Sequence, residues 1–154
     1  MTHHAKMRTL YVHRPLLNVG LLYRWFEGQG VPGLYPPEKL HATIAYSRQP
    51  LIWPNPSRMH VEIVLKALDV SPKEAGQLQI LGDSLALTFE STTLRADFAR
   101  YINQGADFAF GRYIPHISIA PAAGLDIAQI EPFRGLLQFG AEVQAEVDEN
   151  WSAA

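Results

Sequence analysis

The sequence predicts an α+β fold made of two related halves. Two strand-like segments, LHATIAYS (40–47) and PHISIAPA (115–122), share the pattern His, any residue, hydroxyl residue, Ile, Ala. Each of them follows a helical segment and a turn-rich loop. The order of elements is strand, helix, strand, several strands, helix, strand and strand, which is typical of a mixed fold with antiparallel pairing.

The first half begins with a strand over residues 7–14. A helix follows from Pro15, a favoured first helical residue, and Gly28 and Gly30 end it. The rigid loop VPGLYPP then leads into a strand over 40–46. The helix is predicted from apolar residues at helical spacing, which are Leu16, Val19, Leu22, Trp25 and Phe26.

Between the halves, PLIWPNPS has three prolines in eight residues and predicts a loop. Residues 58–69 alternate between apolar and polar side chains, as a strand does. Two short strands, 77–81 and 84–90, are expected to form a hairpin around Gly82 and Asp83.

In the second half, Ser91 or Thr92 is expected to cap a helix that reaches about residue 104. Its predicted apolar face consists of Leu94, Phe98, Tyr101 and Ile102. The loop QGADFAFGRYIP leads into a strand over 115–120. Residues 134–147 are expected to form a long last strand, bent at Gly140.

Length and composition limit the classes of protein. The 154 residues suit a single domain over 1–154 with a substantial core. The absence of Cys excludes disulfides, thiolate metal sites and a Cys nucleophile. No apolar run approaches the roughly 20 residues of a membrane span, and the start lacks the apolar core of a signal peptide. We therefore expect a cytoplasmic protein with no membrane partner.

The charges are unevenly distributed along the chain. Residues 1–60 hold seven Lys and Arg against two Asp and Glu, whereas the remainder is acidic. The first part can supply a positive surface for a phosphate ligand, or the imbalance is incidental on a solvated surface. The net charge of −2 argues against a tight binder of duplex nucleic acid.

The two His strands carry the chemistry that the sequence predicts. Side chains at i and i+2 share one face of a strand, so His41 points with Thr43, and His116 with Ser118. If the strands are close, two imidazoles and two hydroxyls face one cleft. One neutral His can accept a proton and a protonated His can donate one, while the hydroxyls hold the phosphate oxygens. This set suits metal-free phosphodiester cleavage.

Two alternatives stay open for these residues. A lone His on an apolar strand can be structural, and two His can bind zinc, although a third ligand at a telling spacing is missing. We expect no metal and no cofactor. The other His residues lack a paired hydroxyl or lie at the terminus, and surface or structural roles are expected for His3, His4, His13 and His60.

At these motifs the sequence resembles the 2H phosphoesterase superfamily, and most of all the phage anti-CBASS cyclic-oligonucleotide phosphodiesterase family. The similarity covers LYVHR, PPEKLHATIAYS, RYIPHISIAP and the ending FGAEVQAEVDENW. It implies a two-lobed α+β domain with curved, mainly antiparallel strands around a central cleft and helices outside. It also implies cleavage of 3′–5′ bonds in cyclic di- and trinucleotides, which are alarm signals of bacterial defence, inside an infected host.

The resemblance implies a catalytic set of two His, two hydroxyls and a Tyr on the first strand. The matching residues are His41, Thr43, His116, Ser118 and Tyr11. The second motif has Ser118 where Thr is common in the family, which retains the hydroxyl. Read alone, Tyr11 also fits core packing. Which His is base and which is acid stays open.

Three further residues are expected to bind substrate. Glu142 follows the bend at Gly140 and can read a base edge, or it is a solvated rim carboxylate. Trp151 can stack on a base or pin the terminus. Tyr113 can line the pocket or pack in the core. Lys39 and Arg48 flank the first motif and can add positive potential.

The motifs do not decide between functions. One hypothesis is an enzyme that destroys cyclic oligonucleotide signals. A second is a 2H enzyme that acts on RNA ends, as a 2′,3′-cyclic phosphodiesterase or a 2′–5′ oligoadenylate hydrolase. A third is a sponge that binds a nucleotide without cutting it, against which two intact motifs argue. The oligomeric state and the preferred bases stay undetermined.

Overall fold

A computed structural model describes residues 7–53, 68–70, 76–108 and 112–147, and within these ranges the protein has eight strands and two α-helices. The helices are α1 (Val19–Gly28) and α2 (Thr92–Asn103). The strands are β1 (Arg8–Pro15), β2 (His41–Leu51), β3 (Leu68–Val70), β4 (Gln77–Leu81), β5 (Ser84–Thr88), β6 (His116–Pro121), β7 (Leu137–Phe139) and β8 (Val143–Ala145).

Six of the strands form one antiparallel sheet in the order β4-β5-β6-β2-β1-β8. The two motif strands, β2 and β6, are neighbours at its centre. Strand β1, which precedes α1, lies beside β2, and strand β5, which precedes α2, lies beside β6. The other two strands, β3 and β7, pair in a small second sheet. This arrangement confirms the predicted α+β class with mainly antiparallel strands.

The two helices and one face of the sheet share an apolar core. Alternate residues of the motif strands and of β1 contribute to it because successive side chains of a strand point to opposite faces. The opposite face is left for polar and aromatic side chains. Fully buried members of the core include Leu10, Val12, Ala42, Ile117 and Ile119 from strands, and Leu22, Phe26 and Leu94 from helices.

The predicted start of the first helix is wrong. Pro15 is the last residue of β1, and the helix begins only at Val19. Long-range backbone hydrogen bonds keep the intervening residues extended: Leu16 N–H donates to Leu40 (2.9 Å) and Leu17 N–H donates to Gln138 (2.7 Å). The predicted end at Gly28 is confirmed.

The expected long strand over 134–147 is also wrong. It consists of two short strands that pair in different sheets, because the chain leaves the small sheet at Gly140. There the Gly140 N–H donates to the Pro15 carbonyl at 2.8 Å. A Cβ at this position would approach Pro15 to 3.2 Å, so glycine permits the close crossing.

The remaining elements agree with the sequence where the structure describes them. The hairpin is present, with Gly82 in the left-handed region at φ 59°. The Leu94 N–H donates to the Ser91 hydroxyl at 3.1 Å, which confirms Ser91 as the cap of α2. The motif strand β2 extends beyond its expected end, to Leu51. Most of the strand expected over 58–69 lies outside the described residues. No helix in the described ranges is long and apolar enough to cross a membrane.

Candidate active site

The pairing of the two central strands brings the His motifs together. Ala42 on β2 is opposite Ile117 on β6 in antiparallel register. One step along each strand, His41 is therefore opposite Ser118, and Thr43 is opposite His116. Directly opposed side chains have Cβ atoms about 4.5–5.5 Å apart, so each imidazole lies beside the hydroxyl residue of the other motif.

Both imidazoles are held in the same way. His41 Nδ1 lies 2.6 Å from the Lys39 carbonyl, and His116 Nδ1 lies 2.7 Å from the Ile114 carbonyl. A carbonyl only accepts hydrogen bonds, so each Nδ1 carries a proton. In the neutral ring each Nε2 is then the basic nitrogen. Each motif thus contains a rigidly oriented proton acceptor.

Burial disfavours the protonated, charged form of both rings. It lowers the pKa of His41 from 6.5 to about 4, and the charges of His13 and His116 act in the same direction. Burial also lowers the pKa of His116, against the effect of its hydrogen bond to Ile114. His41 is therefore neutral at pH 7, as a general base must be.

The first strand supplies Tyr11 to the same face. Its ring packs edge-on against His41, with centroids 6.1 Å apart, and edge-on against Tyr46 at 5.9 Å. Burial raises the pKa of Tyr11, although its hydrogen bond with Thr43 opposes this effect. The phenol therefore keeps its proton and can donate it in a hydrogen bond.

A cavity of about 350 Å³ opens beside the motifs. Four of the five predicted catalytic residues line it, and the ring of the fifth, His41, packs against Tyr11 and His13. The described part of its wall is mostly apolar and aromatic and includes one cation, which suits a small ligand that carries a base and a phosphate. The lining residues are Tyr11, Thr43, Tyr46, Ile80, Leu81, Gly82, Phe108, Arg112, Tyr113, Ile114, His116 and Ser118.

Tyr113 lines this cavity and also supports the first motif strand. Its hydroxyl donates to the Thr43 carbonyl at 2.9 Å. Its ring stacks on Phe98 of α2, with centroids 4.4 Å apart and planes inclined by 6°. The two expectations for Tyr113, pocket lining and packing, are thus compatible in one residue.

Glu142 lies in a buried charged cluster and does not line the cavity. Its fully buried carboxylate accepts hydrogen bonds from Arg100 (2.6 Å) and Tyr101 (3.2 Å). Arg100 also lies near Asp97, which pairs with the buried Arg14. Reading of a base edge by Glu142 stays a prediction, and it requires the carboxylate to leave these partners. The other expected base contact, Trp151, lies outside the described residues.

A positive contribution of Lys39 and Arg48 to the site stays a prediction. Lys39 contributes its backbone carbonyl to His41, and the Arg48 guanidinium lies 5.7 Å from the Tyr46 ring centroid. Among the described lining residues the cation is Arg112, from the acidic part of the chain. Within the described ranges no three His, Asp or Glu residues gather in a geometry that can hold a metal ion.

Two residues of the site, His13 and Tyr46, were not predicted from the sequence. His13 lies two residues after Tyr11 on the same strand face, which is the signal that could have found it. Tyr46 lies three residues after Thr43 and returns to that face only because β2 is irregular. The register shifts between Val12, opposite Ala45, and His13, opposite Thr43, which leaves Ile44 as an extra residue.

The mixed α+β fold is the one that the resemblance to the 2H phosphoesterase superfamily implies, and a solved structure shares it. E. coli LigT, in a crystal structure complexed with 3′-AMP, has a similar fold, with a TM-score of 0.54. The match covers 90% of this chain and 87% of LigT at 13% sequence identity.

Sequence comparison then identifies the family. The family model described as anti-CBASS protein Acb1 matches residues 8–154, so the chain belongs to this family. It is 36% identical over 151 residues to the anti-CBASS protein Acb1 of Sphingomonas paeninsulae. It is 35% identical over the same length to that of Caulobacter sp. (strain RHG1). In both comparisons 96% of this chain matches 24% of the relative, so the chain spans about a quarter of these relatives' length.

Proposed function

We propose that this chain is a metal-independent phosphodiesterase that cleaves 3′–5′ bonds of cyclic di- and trinucleotides and so counters CBASS immunity in the cytoplasm of the infected cell. The observation that carries the proposal is the register of β2 and β6, which sets each motif His beside the other motif's hydroxyl. Membership of the anti-CBASS family supports the biological role. The matched relatives are about four times longer than this chain. Their activity as whole proteins is therefore not carried over, and the activity is proposed only for the residues present here.

The low pKa of His41 supports different roles for the two rings. His41, with a pKa of about 4, is neutral at pH 7 and accepts the proton of the nucleophile through Nε2. His116 donates to the leaving oxygen. Its pKa is lowered by burial in the free protein, but a bound phosphate anion next to the ring favours the protonated form.

The nucleophile in this proposal is the ribose 2′-OH next to the scissile phosphate. His41 takes its proton as the 2′-oxygen bonds to phosphorus, and His116 protonates the 5′-oxygen as the P–O5′ bond breaks. The product of this step is a 2′,3′-cyclic phosphate. Thr43 and Ser118 donate hydrogen bonds to the non-bridging oxygens, on which negative charge accumulates in the transition state.

The cavity wall supplies the binding part of the proposal. Tyr46 and Phe108 offer aromatic faces for a base, and base–aromatic stacking contributes about 1–3 kcal/mol per base. Arg112 supplies a positive charge for a phosphate. We propose Tyr11 as a hydrogen-bond donor to the substrate phosphate, since its phenol stays protonated.

The experiment that tests the function is product analysis with a substrate panel. Cyclic dinucleotides, 2′–5′-linked adenylates and 2′,3′-cyclic mononucleotides are incubated with the protein and separated by chromatography. We expect cleavage of the cyclic dinucleotides. Preferential cleavage of the other two classes would establish an RNA-end enzyme instead, and tight binding without any product would establish a sponge.

Two variants and one control connect the activity to the site. His41→Ala and His116→Ala should each lower turnover by roughly 10²–10⁴-fold, as loss of a general base or acid does. Their combined loss should be less than additive because the pair acts as a unit. Asn103→Ala, at the exposed end of α2, should retain the wild-type rate. A near-normal rate in either His variant removes that His from the mechanism.

A further inference from the structure

A third imidazole, that of His13, lies in the site without a role in the chemistry described above. Its ring stacks on Tyr11, with centroids 5.0 Å apart and planes inclined by 16°. It meets His41 edge-on at 5.3 Å and 73°. His13 is thus in contact with the two candidate catalytic rings that come from β1 and β2.

The irregularity of β2 is what brings His13 to this position. The register shift sets His13 opposite Thr43 of β2. On the other side of β1, His13 is opposite Val143 of β8. A bulge next to an active site commonly re-aims a side chain. His13 Nδ1 is buried and has no hydrogen-bond partner within the described ranges. A structural His normally satisfies its buried nitrogens, so packing alone does not account for an imidazole here.

We propose that His13 is a positioning residue of the site, which holds the ring planes of Tyr11 and His41 and competes with His41 for a proton. This inference rests on the proposed phosphodiesterase function. The ring contacts of His13 are with Tyr11 and His41, so we expect it to act through these two rings. Its loss should therefore reduce kcat and leave KM nearly unchanged.

The charges around His41 make this competition measurable. The ionisable side chains that face it are His13 and Tyr11 from β1 and His116 from β6. A positive charge on His13, 5.3 Å away, opposes a second one on His41. Removal of that charge should raise the midpoint of the His41 titration by roughly one to two pH units, from Coulomb's law at this separation with an effective dielectric constant of about 20 to 40.

The test compares His13→Phe, which keeps a stacking ring without a charge, with His13→Ala, which removes the ring. NMR titration of the His41 ring in the free protein should show an upward shift in His13→Phe. His13→Ala should lower kcat roughly tenfold or more, with KM close to that of wild type, and His13→Phe should recover most of that loss. Asn103→Ala should change neither quantity.

The possible failures are distinguishable. An unchanged His41 titration in His13→Phe overturns the proton competition, and an unchanged kcat in His13→Ala overturns the positioning role. If His13→Ala does not fold, His13→Asn, which also has no ring at this position, takes its place. Nuclear Overhauser contacts then report the ring positions of Tyr11 and His41 in this variant. Unchanged ring positions overturn the positioning role. The titration needs no substrate, so it tests His13 even if wild type cleaves no cyclic dinucleotide and the proposed function fails.

Discussion

Acidification should destabilise this protein through His41 in particular. Its pKa lies at about 4 in the folded protein, against 6.5 for an unperturbed His. The unfolded chain therefore binds more protons between these two values, and stability falls as the pH falls through them. The stabilising contribution of the neutral ring is fully present above pH 6.5 and is lost towards pH 4.

The size of this loss follows from the shift. Each pKa unit corresponds to about 1.4 kcal/mol, so His41 should cost the protein about 2 kcal/mol by pH 5 and about 3 kcal/mol by pH 4, relative to pH 7. His41 is 9% exposed, so solvent screens this effect little. Burial lowers the pKa of His13 and His116 as well, and these residues add to the loss.

The measurement is urea unfolding at several pH values, in wild type and in His41→Asn. The Asn amide can still donate to the Lys39 carbonyl but does not titrate. Burial raises the pKa of Asp97 and Glu142, which gives a pH dependence of opposite sign. These carboxyls are present in both proteins, so only the difference between them is diagnostic.

Between pH 7 and pH 4, wild type should lose about 3 kcal/mol more stability than His41→Asn. Equal losses in the two proteins would show that His41 titrates near its ordinary value when folded. That result would refute the argument from burial and the low pKa of His41 on which it rests.

Two further predictions concern the reaction. Cleavage of a cyclic dinucleotide should persist in excess EDTA, and a loss that zinc or manganese restores would contradict the two-His mechanism. A substrate that lacks the 2′-OH at the scissile position should bind but resist cleavage, because internal attack gains roughly 7–11 kcal/mol from proximity in the best cases. Rapid cleavage of this analogue, followed by chromatography, would show direct attack by water and leave the two His residues as acid and base.

The motif strands were predicted correctly because the face on which each side chain lies depends only on its position within the strand. The alternation of side chains places His41 with Thr43 and His116 with Ser118 on one face of each strand, whatever surrounds them. The α2 cap is similar, since Ser91 lies three residues before the N–H group that it accepts from. These local patterns do not predict that β2 and β6 are neighbours, because that depends on the order of all the strands in the sheet.

The errors fall where distant backbone groups decide the conformation. Pro15 suits the first turn of a helix, yet its carbonyl accepts from Gly140 and the next two N–H groups donate to Leu40 and Gln138. These bonds join residues that are far apart in sequence, and they outweigh a weak local preference. The same crossing divides the expected strand over 134–147 into two.

The position of Tyr46 in the aromatic wall of the site depends on one β-bulge in β2, which interrupts the alternation of side chains along the strand. The alternation of β2 would put Tyr46 on the core face, because it lies an odd number of residues from Thr43. The extra residue at Ile44 reverses the alternation, so that Tyr46 meets Tyr11 across the strand pair. The same shift sets His13 beside Thr43 and within 5.3 Å of His41. A bulge that depends on pairing with β1 therefore assembles Tyr11, His13, His41 and Tyr46 into one group, which neither strand's own sequence specifies.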